Sequence, residues 1–399
     1  MADPLTPWPR NRRWSAPHQG RAQMGGVRVL TVNAGSSSLK LRVIGLDDAV
    51  VATADLPHQP RGSVDGEISQ FLTEVSPFDA IGHRVVHGGR EFQAPLVLDG
   101  QVEDALGALA ELAPLHNPPA IEAVKALRRF RPALPQVACF DTAFHAGLPA
   151  EAATYALPHE WNTRWGLRRF GFHGLSHAYA SGRAAELMGR PPSELRLVTA
   201  HLGAGASLAA VTGGRSVDTT MGFTPLEGLV MATRAGDVDP GLLLWLMRHS
   251  GLSAAEIGDA LEGGSGLLGL SGVSADLRLV IAAADSGDAR AGLAYAVYLH
   301  RLRAGVAAMA AAMDGVDAVV FTGGAGENSA RLRRDACCGL TFLGLGIDDE
   351  LNEGESGDRI VSPAGVSTSV SVVAAREDLE IARQVREILA QPARTGERR

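Results

Sequence analysis

The sequence has few cysteines, almost no lysine and no long apolar run. Among its 399 residues only Cys139, Cys337 and Cys338 are cysteine, too few for a disulfide framework or a four-ligand zinc site. No apolar run reaches the ~18 residues that span a bilayer, and the Arg-containing start lacks the apolar core of a signal peptide. We therefore expect a soluble cytoplasmic protein without a membrane partner.

Lysine is nearly absent, and acidic residues outnumber basic ones. The 37 Lys and Arg residues are outnumbered by 44 Asp and Glu residues, and the resulting net charge of −7 argues against a general nucleic-acid binder. Only Lys40 and Lys125 are lysine, so a lysine kept in this arginine-rich background is a candidate for chemistry. The apolar fraction of 46% is ordinary for a globular protein, and the length suggests two or three domains.

The chain does contain a repeated pattern of strand, glycine turn and strand. Residues 27–32 and 39–43 have the composition and alternation of strands, and the Gly/Ser segment after Asn33 joins them. The pattern recurs at 195–211, where His201 aligns with Asn33 at an offset of 168 residues. Neither turn is a Walker loop, because no Gly-Lys-Ser/Thr leads into a helix. The repeat predicts two related domains whose glycine tips present backbone N–H groups to anions in a shared cleft.

Strands and helices alternate elsewhere, which makes the fold class α/β. A third glycine segment, 322–328, follows a predicted strand and precedes an Arg-rich helical stretch, a placement that suits the sugar or phosphates of a nucleotide. We expect residues 1–26 to be a disordered leader. Further strands are predicted at 136–140 and 317–321, and further helices at 121–130, at 289–313 and from Glu380 onward.

Seven of the twelve histidines lie in short motifs rich in Gly, Pro, Arg or Asp. A single histidine in such a motif is more often structural, but seven of them favour a polar cleft. A histidine-rich metal site is the rival interpretation, and the spacings do not match a known ligand set. The seven are His83, His87, His116, His145, His173, His177 and His201.

Eight motifs follow one another in an order that is specific to one family. They are Asn33-Ala-Gly-Ser-Ser-Ser-Leu-Lys40, Gly82-His-Arg-Val-Val-His-Gly-Gly89, Ala113-Pro-Leu-His-Asn-Pro-Pro119, Phe140-Asp-Thr-Ala-Phe-His145, Arg169-Phe-Gly-Phe-His-Gly-Leu-Ser-His177, Thr224-Pro-Leu-Glu-Gly-Leu-Val-Met-Ala-Thr-Arg234, Ser274-Ala-Asp-Leu-Arg278 and Phe321-Thr-Gly-Gly-Ala-Gly-Glu-Asn-Ser329. With them the chain resembles the acetate kinases, members of the superfamily of acetate and sugar kinases, heat-shock chaperones and actin.

The resemblance implies a fold and a reaction. The fold is two duplicated ribonuclease-H-like domains around a central nucleotide cleft, with residues 27–150 and helix 380–395 in the first domain and 151–379 in the second. The reaction is the reversible, direct in-line transfer of the ATP γ-phosphoryl group to acetate, with Mg²⁺ (or Mn²⁺), giving acetyl phosphate and ADP for acetyl-CoA biosynthesis. The family is homodimeric.

The resemblance also assigns catalytic residues. Arg84 and Arg234 match two arginines that flank the transferring phosphoryl group, and His173 matches a histidine that donates to its oxygens. Asp141 matches the catalytic aspartate. Because the acceptor is already an anion, we expect Asp141 to orient Mg²⁺-bound water or an arginine rather than to remove a proton.

Further positions are assigned to binding. The magnesium-associated residues are Asn33 and Glu377, and His116 and His201 line the cleft. The acyl pocket consists of Val86, Leu115, Phe172 and Pro225 beside Arg84, each of which could equally be core. The ATP-contacting residues are Lys40, His201, Leu202, Gly203, Ala204, Gly205, Asp276, Leu277, Arg278, Gly324, Ala325, Gly326, Glu327 and Asn328.

Two departures from the family pattern keep alternatives open. Ala204 stands where the family usually has Asn, and Arg376 places a positive charge beside Glu377. The loss of one hydrogen-bond donor to a phosphate weakens the binding free energy by ~1–3 kcal/mol if no other donor replaces it. One alternative is a kinase that prefers propionate or butyrate, since a methylene changes specificity by only ~1–3 kcal/mol. The other is a nucleotide-binding or filament-forming protein that has lost its chemistry.

Overall fold

The computed structural model describes residues 26–35, 38–57, 65–109, 113, 116–354 and 356–391. The chain divides into two compact units. The first comprises the residues up to Ala146 together with those from Arg376 onward, and the second is Gly147–Ala375. None of the helices in the described ranges is long and apolar enough to span a membrane.

Within the described ranges each unit contains six strands and several helices. The elements up to Ala146 are β1 (Val29–Ala34), β2 (Ser38–Ile44), β3 (Val50–Pro57), α1 (Asp65–Glu74), β4 (Ala80–Val85), β5 (Leu96–Val97), α2 (Gly100–Ala108), α3 (Asn117–Phe130) and β6 (Gln136–Phe140). They are followed by α4 (Ala150–Ala153), α5 (His159–Trp165), α6 (Gly174–Met188), β7 (Arg196–Leu202), β8 (Ala206–Thr212), β9 (Arg215–Thr219), α7 (Pro240–His249), α8 (Ala254–Gly263), α9 (Gly266–Ser271), α10 (Leu277–Asp285), α11 (Ala289–Ala312), β10 (Ala318–Thr322), α12 (Gly323–Asn328), α13 (Ala330–Cys338), α14 (Asp349–Glu353), β11 (Arg359–Ile360), β12 (Ser369–Val372) and α15 (Glu377–Ala390).

The first unit is a mixed sheet with strand order β3-β2-β1-β4-β6-β5. Strands β1, β4 and β6 are parallel, and β2 and β3 continue the sheet as antiparallel strands. Leu30, Val32 and Ile81 of the central strands pack against α1 and α3 in the core. Helix α15 crosses β4 so closely that a Cβ on Gly82 would lie 2.4 Å from Ile381, so only glycine permits this approach.

The second unit repeats this topology with the strand order β11-β12-β10-β7-β8-β9. Strand β7 corresponds to β1, because each is antiparallel to the next strand and parallel to a later one. The register agrees as well, since Asn33 lies opposite Arg84 and His201 lies opposite Thr322. The predicted α/β class with duplicated ribonuclease-H-like domains is confirmed.

Some boundaries differ from the sequence-based expectations. The third glycine segment forms a short helix, α12. It starts at Gly323 with φ +77°, where a Cβ would lie within 3.0 Å of the Leu202 backbone. The terminal helix begins at Glu377 instead of Glu380, because acidic residues stabilise the first turn of a helix. The division into two units falls after Ala146 and before Arg376. Residues 1–25 of the expected leader and residues 392–395 of the expected helix lie outside the described part of the chain.

Candidate active site

The first unit brings three polar side chains to the carboxyl edge of its parallel strands. Asn33 is at the end of β1, Arg84 is at the end of β4, and Asp141 directly follows β6. Arg84 lies between the other two strands, opposite Asn33 on one side and Cys139 on the other. Parallel strands end at a common edge, which is where α/β proteins place their ligands. The three residues assigned from separate motifs are therefore neighbours.

The Arg84 guanidinium is fixed by these neighbours. Its Nε lies 3.1 Å from both carboxylate oxygens of Asp141, its second terminal nitrogen lies 2.6 Å from Oδ2 of Asp141, and the first donates to Oδ1 of Asn33 at 3.0 Å. Burial lowers the pKa of Arg84, but the charges of Asp141 and Glu377 outweigh burial and raise the pKa above its ordinary value. Asp141 is fully buried and accepts three of these contacts, so its carboxylate holds the Arg84 guanidinium in place.

Glu377 and Asn33, the two positions assigned to magnesium, also contact one another. The Asn33 amide donates to Oε2 of Glu377 at 2.9 Å, and that oxygen lies 3.8 Å from Nε of Arg84. Within the described residues no group of three or more His, Cys, Asp or Glu could bind a metal ion. One carboxylate and one amide oxygen suit Mg²⁺, which is usually bound by one or two protein oxygens together with water and phosphate. Arg376 donates to Asp378 at 2.9 Å, which compensates part of its charge.

The remaining predicted residues of the first unit lie on β2, before α3 and after β4. Lys40 lies opposite Asn33 on β2 and is exposed, so the two side chains are on the same face of the sheet. His116 immediately precedes α3, and Val86 is buried next to the end of β4. Leu115 lies outside the described residues.

In the second unit His173 occupies a constrained position. It precedes α6 with φ 56° and ψ 24°, a left-handed conformation that costs a non-glycine residue energy and is often found at functional sites. Its Nδ1 lies 2.9 Å from Oγ of Ser207, and its ring stacks on His201 with centroids 4.4 Å apart. His201 ends β7, and its Nδ1 lies 2.8 Å from Oγ of Ser176. Neighbouring hydroxyls thus orient both imidazoles.

The glycine turn between β7 and β8 lies against His173 and Arg234. A Cβ on Gly205 would lie 3.3 Å from Nε2 of His173 and 3.5 Å from a guanidinium nitrogen of Arg234. Burial lowers the pKa of Arg234, and the charge of Glu262 opposes this effect. Ala204 is exposed at the tip of the turn, and its carbonyl accepts from Ala232 N–H at 3.1 Å. The structure therefore places His173, Arg234 and the predicted phosphate-binding turn together.

The other predicted ATP contacts lie on short helical segments of the second unit. Asp276 caps α10 and pairs with the exposed Arg278, and Leu277 is buried. In α12, Glu327 accepts from Ala375 N–H at 2.9 Å, and Asn328 donates to Gly324 O at 2.8 Å. These two side chains stabilise the local backbone. Gly326 is buried, whereas Gly324 and Asn328 are exposed, and Ala325 is partly exposed.

Two of the predicted acyl-pocket residues also belong to the second unit. Phe172 is buried directly before His173, and the Pro225 carbonyl accepts from Arg234 at 3.3 Å. Phe172 is therefore adjacent to His173, and Pro225 contacts Arg234.

The hydroxyl groups around the histidines were not predicted from the sequence. Thr199 and His201 are two residues apart on β7 and share a face of the sheet, and Ser207 lies opposite His201 on β8. Strand alternation places Thr199 and His201 on the same face of β7. Finding Ser207 beside them also requires knowing that β8 pairs with β7. Arg333, fully buried in α13, was also missed.

Comparisons with known proteins show similar sequences and similar folds. The model of the acetokinase family matches residues 64–383. An acetate kinase of Synechococcus sp. is 44% identical over 402 residues, covering 91% of this chain and 99% of the relative, and one of Clavibacter michiganensis is 46% identical over 388 residues, covering 89% and 98%. Among solved structures, Porphyromonas gingivalis acetate kinase has a TM-score of 0.84 at 38% identity over 91% of this chain and all of that chain. A propionate kinase from Francisella tularensis has a TM-score of 0.83 at 35% identity over 90% and 98%.

Proposed function

The chain belongs to the acetokinase family, whose kinases transfer phosphate to a carboxylate, and we propose that its reaction is the reversible transfer of the ATP γ-phosphoryl group to acetate. The products are acetyl phosphate and ADP. The observation that carries the proposal is the Arg84 guanidinium, which Asp141 and Asn33 fix at the carboxyl edge of the first sheet. A planar cation fixed in this way is suited to binding phosphoryl or carboxylate oxygens.

Charge neutralisation is the main task of such a site. A carboxylate and a triphosphate repel one another, so catalysis depends on positioning and on compensating their negative charge. Arg84 in the first unit and Arg234 in the second supply fixed positive charge, and His173 supplies a hydrogen-bond donor. Asp141 positions Arg84 and removes no proton, because acetate is already deprotonated. Val86, Leu115, Phe172 and Pro225 provide apolar surface for the methyl group, and Lys40 and the segments 201–205, 276–278 and 324–328 bind ATP.

Mg²⁺ is the metal that the donor chemistry fits. Glu377 and Asn33 would bind it through their oxygens, directly or through water, and Mn²⁺ would fit the same ligands. When bound, the ion neutralises phosphate charge. The contact between Asn33 and Glu377 keeps both groups at the end of β1, beside the Arg84 guanidinium.

The test is hydroxylamine trapping of the acyl phosphate formed from ATP, Mg²⁺ and acetate, propionate or butyrate in separate reactions. We expect acetate to give product at the lowest acid concentration and Arg234→Ala to abolish most of the rate. Arg215→Ala, which changes an exposed arginine of the same unit, is the control and should behave as the original chain. A preference for propionate or butyrate would retain the mechanism and change the substrate. No product from protein that still binds ATP would contradict the proposal.

The same proposal includes a homodimer formed through α7. All ten residues of α7 are described and none is buried, and Leu242, Leu244, Trp245 and Met247 are each 46–55% exposed. A helix whose large apolar side chains are exposed around its whole circumference is typical of a surface that another protein covers, and a second copy of the chain is the simplest partner. Trp245→Glu should yield monomers in light scattering, whereas Leu46→Glu, at an exposed apolar residue of the first unit, should not.

We also place the enzyme in the cytoplasm. All three cysteines are free, and Cys338 is exposed. Free thiols are typical of a reducing compartment.

A further inference from the structure

Four side chains of the second unit form a chain of hydrogen bonds that ends at His173. The Thr199 Oγ1 atom lies 2.7 Å from Nδ1 of His177, Nε2 of His177 lies 2.8 Å from Oγ of Ser207, and that oxygen lies 2.9 Å from Nδ1 of His173. Thr199, His177 and Ser207 are all fully buried. The chain therefore runs from the interior of the sheet to the residue beside the glycine turn.

The position of the Thr199 proton sets the direction of this chain. The Thr199 hydroxyl has two acceptors, the carbonyl of Ala209 at 3.5 Å and Nδ1 of His177 at 2.7 Å. Hydroxyl donors form good hydrogen bonds at 2.5–3.0 Å, and a contact of 3.5 Å is much weaker. Thr199 therefore donates to His177, and Nδ1 of His177 is an acceptor.

Each remaining proton is then determined by counting donors. A neutral imidazole has one donor and one acceptor, so the role of one ring nitrogen fixes the role of the other. Because Nδ1 of His177 accepts, its proton is on Nε2, which donates to Ser207. Ser207 in turn donates to Nδ1 of His173. The proton of a neutral His173 is consequently on Nε2, the atom that lies against the Gly205 turn and near Arg234.

We propose that Thr199 is a positioning residue which, through His177 and Ser207, fixes the tautomer of His173 with its proton on Nε2. The inference rests on the proposed function, in which His173 donates to phosphoryl oxygens. It explains how His173 provides a donor while neutral, so that no second positive charge is placed beside Arg234. The hydrogen bond at one imidazole nitrogen determines the proton on the other.

The test combines nitrogen NMR with kinetics on the full-length protein labelled with ¹⁵N-histidine. The His173 signals are assigned by their loss in His173→Asn. We expect the original chain to show a protonated Nε2 and an unprotonated Nδ1 at His173. In Thr199→Val the two signals should move towards one another, as in a mixture of tautomers. The value of kcat should fall roughly 10- to 100-fold, as when a metal-bound imidazole loses the hydrogen-bond partner that orients it.

Two further variants separate this role from packing. Thr199→Ser keeps the hydroxyl and should restore both the NMR signature and most of the rate. If Thr199 only filled space, the order would reverse, because valine keeps the volume and serine leaves a cavity. Thr31→Val is the matched control, since Thr31 occupies the equivalent place on β1 and donates to the Arg42 carbonyl instead.

The inference and the proposed function fail in different ways. A Thr199→Val protein with an unchanged His173 signature, or an original chain with the proton on Nδ1, would overturn the inference whatever the activity. If the signature changes as expected but no acid yields an acyl phosphate, the hydrogen-bond chain stands and the proposed function fails.

Discussion

The two units share one strand order but differ in the residues at the ends of their parallel strands. The first unit has Asn33, Arg84 and Asp141 there, whereas the second has His201, Thr322 and the apolar residues that follow β12. The positions of Arg84 and Asp141 in the first unit are therefore charged, whereas their counterparts in the second unit are uncharged. The difference teaches that the two units share one strand arrangement while their strand ends carry different chemistry, an ion pair in the first unit and uncharged side chains at the equivalent positions of the second.

The two units also bury different kinds of arginine. Arg84 pairs with a carboxylate, and Asp141 and Glu377 raise its pKa despite burial. Arg333 donates to carbonyls and an amide oxygen at Gly326, Glu327 and Asn352, and burial lowers its pKa to about 10. We infer that Arg84 serves chemistry and that Arg333 stabilises the end of α12.

The largest expected effect is on stability in the second unit. Arg333→Met leaves several buried acceptors without a donor and should lower the free energy of unfolding by roughly 3–5 kcal/mol. Its neighbour Arg334 pairs with Asp349 and Glu353 at the surface, so Arg334→Met should cost less than about 1 kcal/mol. Urea denaturation of both variants measures the difference in the free energy of unfolding. Equal decreases in the two variants would show that the buried hydrogen bonds of Arg333 do not stabilise the fold more than a surface ion pair does.

Next comes activity in the first unit. Arg84→Lys keeps the charge but cannot form the two-oxygen contact with Asp141, so kcat should fall by about 10²–10³-fold. Hydroxamate formation gives the rate, and circular dichroism checks the fold. A lysine variant with nearly full activity would mean that charge alone suffices and that the fixed orientation is unimportant.

A pH dependence of stability should arise from His83, whose equivalent in the second unit is Phe321. Burial is the largest effect and lowers the pKa of His83 to about 4, although its contact with Gln136 opposes this. Because the folded state keeps His83 neutral, the free energy of unfolding is at its full value above pH ~6.5. It decreases as the pH falls towards 4, since the unfolded chain then binds a proton that the folded protein does not. The loss amounts to about 3 kcal/mol. His83→Phe should flatten this part of the stability profile, and an unchanged profile would assign the effect elsewhere.

The metal assignment predicts a smaller effect. Glu377→Gln removes a charged oxygen ligand but retains an acceptor for Asn33, so the Mg²⁺ concentration at half-maximal rate should rise about tenfold. Glu122→Gln, at a surface pair with Lys125, is the control. An unaltered Mg²⁺ dependence would remove Glu377 from the metal site.

The smallest effect is expected at Thr322, the counterpart of Arg84. Its hydroxyl is buried and has no hydrogen-bond partner among the described residues. Thr322→Val should therefore change the free energy of unfolding little or increase it slightly. Calorimetry measures the shift, and a clear destabilisation would show that this edge depends on a polar group after all.

Much of this organisation could be predicted from sequence. The repeat at Asn33 and His201 gave the duplication, because a glycine turn between two apolar strands is a local pattern. The motifs also identified Arg84 and Asp141 as site residues, and the two side chains form an ion pair in the structure. The hydroxyl partners of the histidines could not be found in this way, since strands β7 and β8 must first be paired and registered.

Two structural surprises have the same physical origin. Arg333 lies in an arginine-rich stretch that resembles an exposed helix, and only the carbonyls at the end of α12 make its burial favourable. The glycine segment 323–328 resembles a loop, yet it forms a helix directly after β10. In both cases tertiary contacts override the local pattern.

The crossing of α15 over Gly82 has a consequence for synthesis. The first unit is discontinuous, because its sheet requires a helix that begins at Glu377, whereas the second unit is one continuous segment. On the ribosome, all of the second unit is therefore synthesised before the first is complete, although domains usually mature from the N-terminus. Until the last helix emerges, Gly82 and its neighbours on β4 remain uncovered, so the nascent chain carries an exposed apolar face for most of its translation.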